Sequence, residues 1–331
     1  ASDDGLDAFP RLVAPADVVI HNLSPSAAHK LKITADDLAD TNPELIYCHI
    51  RGYAAGPQHD DLATNPVAEA STGVMDDHRI NGRPSRLGPS YHDQFAGAYG
   101  VIRVLAALMQ PAPRPARDRY IEIGLYETGL HVAGRDLAGV QLKMQLLGRP
   151  EKEAGGEFAM PGYGAYQSRE GRWVYLLVLT DMHWKKLAAA LDMVEADDPE
   201  LARLRERKKQ RHRVEAAIRD AVAGYHFDQL TERLRGAGVG FSEVLPLERV
   251  LDAPQARHPG KLRPLSFHGI DFEVPEFPGG GQAEDGLPPP HLGEHTMEIL
   301  ASLGFDDAGR AELLGEGAVA VAGVEELTLG K

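Results

Sequence analysis

Three short apolar runs, each leading into helix-patterned sequence, constrain the first 150 residues more than any other feature. "ADVVIHNL" (16–23) and "ELIYCHIRGY" (44–53) read as buried strands. "RYIEIGLYETGLHVAGRDLAGVQLKMQLLG" (119–148) runs from a strand into a long helix. Between the first two lies a short helix, "TADDLADTN" (34–42), where Thr34 and Asp37 are spaced as a capping box with Asp in the place usually held by Glu or Gln. Strands separated by helices pair side by side through crossovers, so this half predicts an α/β layer with a parallel sheet.

The pattern changes after Pro150. "EKEAGGEFAMPGYG" (151–164) is Gly-rich and reads as a connector or loop. Two strands around Arg169–Gly171 follow, then amphipathic helices from "DMHWKKLAAALDM" through "FDQLTERLRGAG". Residues 155–250 therefore form a smaller α+β region. From about residue 251 the chain is an extended, Pro-rich return passage that ends in helices, expected to pack on the large domain of residues 1–150.

Composition narrows the function. A net charge of −14 over 331 residues argues against nucleic acid or an anionic membrane surface as the main partner. No apolar run reaches the roughly 18 residues of a membrane span, and no signal peptide is visible. The single cysteine, Cys48, has no partner within the chain and sits in an apolar strand, which points to an inert thiol in a reducing cytoplasm. The chain opens without methionine, in sequence that leads straight to a strand, so an upstream segment with a first strand is expected.

Several motifs have plain structural readings. "PGGGQ" (278–282) lacks the frame of a phosphate loop, and no dinucleotide fingerprint is present. The basic run "RLRERKKQRHR" (203–213) is a solvated helix face. "QHDD" (58–61) and "DDH" (76–78) have no metal-ligand spacing and read as loop polarity, so no metal is expected. No nucleophile elbow marks a serine hydrolase.

"RLGPSYHDQFAGAYGVIRVLAAL" (86–108) places Asp93 at the start of an apolar helix whose Val101, Ile102, Leu105 and Leu108, with Met109 just beyond, recur at helical spacing, so this helix is expected to bury that face. Asp is a favoured N-cap, and the positive end of the helix dipole keeps its carboxylate ionised. An ionised carboxylate in a pocket is also a nucleophile. The local sequence leaves both roles open.

Three separated stretches together resemble family III CoA-transferases: "ADVVIHNLSPSAAHKLKITADDLADTNPELIYCHIRGYAAGP", the Asp93 segment, and "PPPHLGEHTMEILASLGF". Their order and spacing agree with the family over residues 5 to 315. The family includes formyl-CoA:oxalate, carnitine and succinyl-dependent CoA-transferases and also α-methylacyl-CoA racemases. The resemblance implies a Rossmann-like large domain, a smaller α+β domain, and an interlocked dimer of ring-shaped chains. It implies that coenzyme A passes from an acyl-CoA to a small carboxylic acid, with Asp93 as the nucleophile. It carries CoA contacts onto Asn22, Leu23, Ser24, Lys30, Thr64 and Asn65. Lys30 stands where the family has Arg, which keeps the charge for a phosphate without a bidentate fork. "AGGEFAMPG" (154–162) falls where the transferases carry a Gly-rich oxyanion loop.

Thr64 stands where the racemases carry a His that moves an α-proton, and Thr is no general base near neutral pH. His92 is adjacent to Asp93 but points elsewhere on the helix start. In the family an N-terminal segment supplies the first strand, an active-site glutamine and residues around the adenine, none of which this chain replaces. An acyl-CoA racemase or epimerase, and a non-catalytic CoA-binding or partner chain, are the alternative readings.

Overall fold

Strand β2 (Ile46–Arg51) lies at the centre of a three-stranded parallel sheet, between β1 (Val18–His21) and β3 (Tyr120–Gly124). This computed structural model describes residues 3–148, 160–267, 269–279 and 290–321. The chain divides into two compact units, Ala1–Gly155 with Pro288–Lys331, and Gly156–Leu287. The mixed α/β class with a parallel sheet, expected from the alternation of strands and helices, is what the first unit shows.

Alternation along β2 separates two environments, because successive side chains leave opposite faces of a strand. Ile46 and Cys48 are fully buried and pack with Ile121 of β3 against Val104 and Ala107. The last two belong to helix Tyr91–Leu108, which crosses β2 and β3 and packs through Val104 and Ala107, while the face of Val101, Ile102, Leu105, Leu108 and Met109, expected to be buried, is exposed. On the other face, Tyr47 packs with Val13, Leu38 and Leu45. Val13 ends helix α1 (Asp3–Val13), and Leu38 ends the short helix α3 (Ala35–Leu38), which follows α2 (Pro25–Lys30). Further along that face come His49 and Arg51, so it turns from apolar to polar towards the C-terminal end of the strand.

The Thr34–Asp37 capping box forms in full. Asp37 N donates to Thr34 Oγ1 at 3.3 Å, and Thr34 N donates to Asp37 Oδ2 at 3.0 Å. The shorter Asp side chain therefore reaches back as well as Glu does elsewhere. Helix α4 (Asn65–Ser71), not anticipated, precedes α5 (Tyr91–Leu108). The single long helix expected after β3 is instead two, α6 (Leu125–Val132) and α7 (Gly134–Leu147), divided at Ala133 (φ −80°, ψ 1°) just before Gly134.

The second unit has an antiparallel sheet of β4 (Tyr163–Gln167), β5 (Trp173–Leu177) and β6 (Gly240–Glu243). The expected strand pair around Arg169–Gly171 is thus present. Its core joins Val174 and Leu176 to Trp184, Ile218 and Leu230, from helices Asp181–Ala190, Arg211–Ala223 and Phe227–Gly236. Arg207, from the basic run, is fully buried and donates to Asp181 Oδ1 at 2.8 Å and to Leu201 O at 2.8 Å. That part of the run holds the core edge rather than a solvated face. The passage read as extended contains an antiparallel hairpin, β7 (Leu262–Phe267) with β8 (Ile270–Pro275). Most of "PGGGQ" lies outside the described residues.

The turn out of β3 is tight. A Cβ on Gly124 would stand 1.7 Å from Glu127 Oε2 and 2.7 Å from Ala54 N. Glu127 Oε2 accepts from Ala54 N at 3.0 Å, so both neighbours are already tied together. Gly124→Ala is expected to destabilise the protein by about 1–3 kcal/mol. The urea unfolding midpoint should fall at constant m-value, and an unmoved midpoint would show that this turn yields freely.

Candidate active site

The C-terminal ends of β1, β2 and β3 open onto a cavity of about 330 Å³. In parallel α/β sheets this edge is where ligands bind, because loops and helix N-termini converge there. Asn22, Leu23 and Ser24, directly after β1, line it together with Thr64, Asp93 and Leu125. Five of the residues singled out in the sequence are thereby brought to one cavity. Lys30 and Asn65 do not line it: Lys30 is exposed at the end of α2, and Asn65 is buried.

Helix α5 begins at Tyr91, so Asp93 occupies its third position and Ser90 the N-cap position. The N-cap reading of Asp93 is corrected accordingly. The first-turn N–H of His92 is satisfied from another helix, by Asn65 Oδ1 at 2.9 Å. Asp93 has no hydrogen bond or ion pair among the described residues and is exposed to the cavity. His92, by contrast, is 1% exposed and does not line the cavity. A Cβ on Gly129 would stand 2.5 Å from its ring, which shows how closely α6 covers it. Burial lowers the His92 pKa, against the opposing charges of Glu69 and Asp93.

Arg51, His59 and Asp61 also line the cavity, the last two from the "QHDD" segment expected to be plain loop polarity. Arg51 is 7% exposed, and its Nη1 donates to Glu122 Oε1 at 2.8 Å and to His59 Nε2 at 2.6 Å. Its Nη2 donates to His59 O. A buried guanidinium needs such partners, since an unpaired charge there would be strongly destabilising. Because Arg51 can only donate, His59 Nε2 is the acceptor, and the ring proton lies on Nδ1, which donates to Asp60 Oδ1 at 3.0 Å. "QHDD" thus has a defined role beyond loop polarity. The available signal was the alternation of β2, which sends Arg51 to the same face as Tyr47 and His49.

Comparison with known proteins identifies the chain. The sequence profile of CoA-transferase family III matches residues 1–296. The chain belongs to this family. The succinyl-CoA:mesaconate CoA-transferase of Haloarcula hispanica is 24% identical over 321 residues, 93% of this chain and 78% of that one. The alpha subunit of the succinyl-CoA–L-malate CoA-transferase of Chloroflexus aurantiacus is 28% identical over 316 residues, 91% of this chain and 71% of that one. The formyl-CoA:oxalate CoA-transferase of Streptomyces avermitilis is 24% identical over 330 residues, 92% of this chain and 79% of that one. Among solved structures, a CAIB/BAIF family protein from Brucella suis matches with a TM-score of 0.73 and 25% identity, covering 91% of this chain and 79% of that one. CoA thioesters are the substrates of CoA-transferases, and these relatives do not favour the racemase alternative.

In this family III chain the loop after β1 is tied down by two histidines. Leu23 N donates to His21 Nδ1 at 3.2 Å, which leaves the His21 proton on Nε2, facing Tyr47 Oη at 2.5 Å. His49 Nε2 donates to Leu23 O at 2.8 Å, and the two imidazoles stack with centroids 4.2 Å apart. Burial, helped by the neighbouring His49, lowers the His21 pKa to about 4, and burial lowers that of His49. Burial likewise pushes the Tyr47 hydroxyl up to about 12. Most of the expected oxyanion loop, residues 154–159, lies outside the described residues. Among the described residues no group of three or more His, Cys, Asp or Glu side chains is placed to hold a metal. None of their helices is long and apolar enough to cross a membrane.

The paired histidines set a pH dependence. In the unfolded chain His21 titrates near 6.5, whereas in the folded protein it does so near 4. Between these values the unfolded state binds more protons, so stability falls as pH drops from about 6.5 to about 4. His21→Phe is expected to flatten the slope of Tm against pH in that window. An unchanged slope in the variant would count against this assignment.

Proposed function

We propose that this chain transfers coenzyme A from an acyl-CoA donor to a small carboxylic acid, with Asp93 as the covalent nucleophile. The observation that carries this reading is the position of Asp93. Its carboxylate has no hydrogen bond or ion pair among the described residues and lines one cavity with Asn22, Leu23, Ser24 and Thr64 at the C-terminal edge of the sheet. A carboxylate needs no deprotonation at neutral pH, so its attack on a thioester calls for no separate general base.

The reaction proceeds by exchange of activated acyl groups. An Asp93 oxygen attacks the thioester carbonyl carbon, the C–S bond breaks, and CoA leaves as thiolate. The thiolate then attacks Cγ of Asp93 in the resulting mixed anhydride, which forms an aspartyl-CoA thioester and releases the donor acid as its carboxylate. The acceptor carboxylate attacks the same Cγ, expels the thiolate and forms a second anhydride. Attack of the thiolate on the acceptor's acyl carbon yields the new acyl-CoA and restores the Asp93 carboxylate. Every step trades one activated acyl derivative for another, so no ATP is required.

Asn22, Leu23, Ser24 and Thr64 would hold the CoA portion beside Asp93, and Lys30 would reach a phosphate from the rim. Asn65, assigned to the CoA by the resemblance, is buried at 2% exposure, so any contribution it makes is through the residues it bonds. A homodimer is part of the proposal, interlocked as the family resemblance implies. It is supported by the outward side of α5, where Val101, Ile102 and Leu105 are each more than half exposed. An apolar helix side of this size calls for a cover. A reducing cytoplasmic setting fits the single buried thiol of Cys48.

The test is chemical trapping. The protein is incubated with succinyl-, acetyl- and formyl-CoA and then with hydroxylamine, and the Asp93 peptide is examined by mass spectrometry. A hydroxamate on Asp93 is expected with at least one donor. Asp93→Asn should abolish it and lower transfer by at least about 10³-fold. Full transfer activity in Asp93→Asn, or an unlabelled Asp93 during turnover, would reject the covalent route.

A further inference from the structure

We infer that Asn65 and Glu69 are positioning residues for Asp93, acting as a clamp on the first turn of its helix. The inference rests on the reading of Asp93 as nucleophile and adds to it a reason why the carboxylate stands where it does. Glu69 is fully buried and Asn65 is 2% exposed. Asn65 Nδ2 donates to Glu69 Oε1 at 2.6 Å, while Asn65 Oδ1 accepts from the backbone N–H of His92 at 2.9 Å. The other Glu69 oxygen accepts from Leu87 N at 3.3 Å, in the segment that leads into the helix.

The two bonds of the Asn65 amide are mutually enforcing. A carboxylate can only accept, so Glu69 draws the NH₂ end of Asn65 towards itself. That turns the carbonyl oxygen to the helix, where it satisfies one of the four first-turn N–H groups that no helix can satisfy internally. Serine or aspartate at the head of a helix commonly does this from within the same segment. Here the acceptor arrives from α4, so the clamp joins two helices and Asp93 follows one residue after the clamped N–H. Its side chain is thereby aimed without a hydrogen bond to the carboxylate itself, which leaves both oxygens free to attack. The Ser90 side chain makes no capping bond, so nothing in α5 duplicates the role.

Two buried side chains that only filled space would tolerate apolar replacement. The clamp predicts otherwise. Glu69→Gln keeps an acceptor for Asn65 and should leave the rate of Asp93 acylation within about threefold of the parent. Glu69→Leu, of similar volume and without a charge to bury, lets the Asn65 amide turn and should slow acylation by about 10- to 100-fold, the scale of a small misplacement of a reacting group. Asn65→Ala should do the same. Neither variant should change the Kd for free CoA measured by calorimetry.

The measurement is the single-turnover rate of Asp93 labelling by succinyl-, acetyl- and formyl-CoA, trapped with hydroxylamine, in protein whose Tm is recorded alongside. Slow labelling in Glu69→Leu and Asn65→Ala with CoA affinity intact, and near-parent labelling in Glu69→Gln, would support the clamp. Parent-like labelling in a folded Glu69→Leu overturns it, as does a weakened CoA Kd with an unchanged rate in Asn65→Ala, which would make Asn65 a CoA contact instead. An unlabelled parent protein with all three donors overturns the nucleophile reading on which the clamp depends, and so separates the two failures.

Discussion

The whole first unit is organised by the fact that β2 is covered on both faces while its two faces carry different chemistry. Ile46, Cys48 and Ile50 seat the long helix α5, and Tyr47, His49 and Arg51 line the other side. A strand in the middle of a parallel sheet has no solvated face on which to place polar groups cheaply. The polar residues must therefore find partners inside the protein, and they find them progressively closer to the cavity. Tyr47 lies against His21, His49 holds Leu23 O, and Arg51 meets Glu122 and His59. The closer a residue of β2 lies to the C-terminal edge, the more its bonds fix the loops that form the site.

This arrangement explains why the loops can be long on sequence and still hold a defined shape. Glu127 and Glu122 tie the loop after β2 by accepting from Ala54 N and Ala55 N, each at 3.0 Å, and Arg51 holds the same loop through His59. Backbone groups in such loops would otherwise have only water as partner. A buried Arg–Glu pair contributes little net stability by itself, because desolvation offsets much of the attraction. Its value lies in what the remaining oxygens and N–H groups can hold. The Glu122 carboxylate uses one oxygen for Arg51 and the other for Ala55, so the charge pair doubles as a loop anchor.

How much of this was legible in the residues depends on the range of the interaction. Strands β1 and β2 and the Thr34–Asp37 capping box rest on local periodicity and short-range bonds, and they stand where the sequence placed them to within two residues. Asp93, Asn22, Leu23, Ser24 and Thr64 came from the family resemblance, and all five line one cavity. The start of α5 was misread because its cap is not local: the acceptor is Asn65, 27 residues away. Arg51 was not singled out, and His59 was read as loop polarity, for a related reason. Their partner Glu122 lies 71 residues from Arg51 on a neighbouring strand, and no spacing within a single segment announces such a pair. The break between α6 and α7 at Ala133 was missed as well, since Gly134 within an apolar pattern resembles many glycines that helices tolerate.

The two roles first open to Asp93, cap and nucleophile, exclude one another more than the sequence suggests. A capping carboxylate accepts from the first-turn N–H groups, and each such bond withdraws electron density from the oxygens that would attack. In this protein the capping duty is carried by a neutral amide, that of Asn65, and no bond from it falls on the Asp93 oxygens. Asp93 lies two residues further on than the N-terminal end of the helix, within its first turn. A neutral amide is also the better clamp beside an anion, because a capping carboxylate at position 65 would face Glu69 with a like charge. An amide at position 65 thus meets the needs of both neighbours, donating to the Glu69 carboxylate and accepting from the helix one residue before the exposed Asp93.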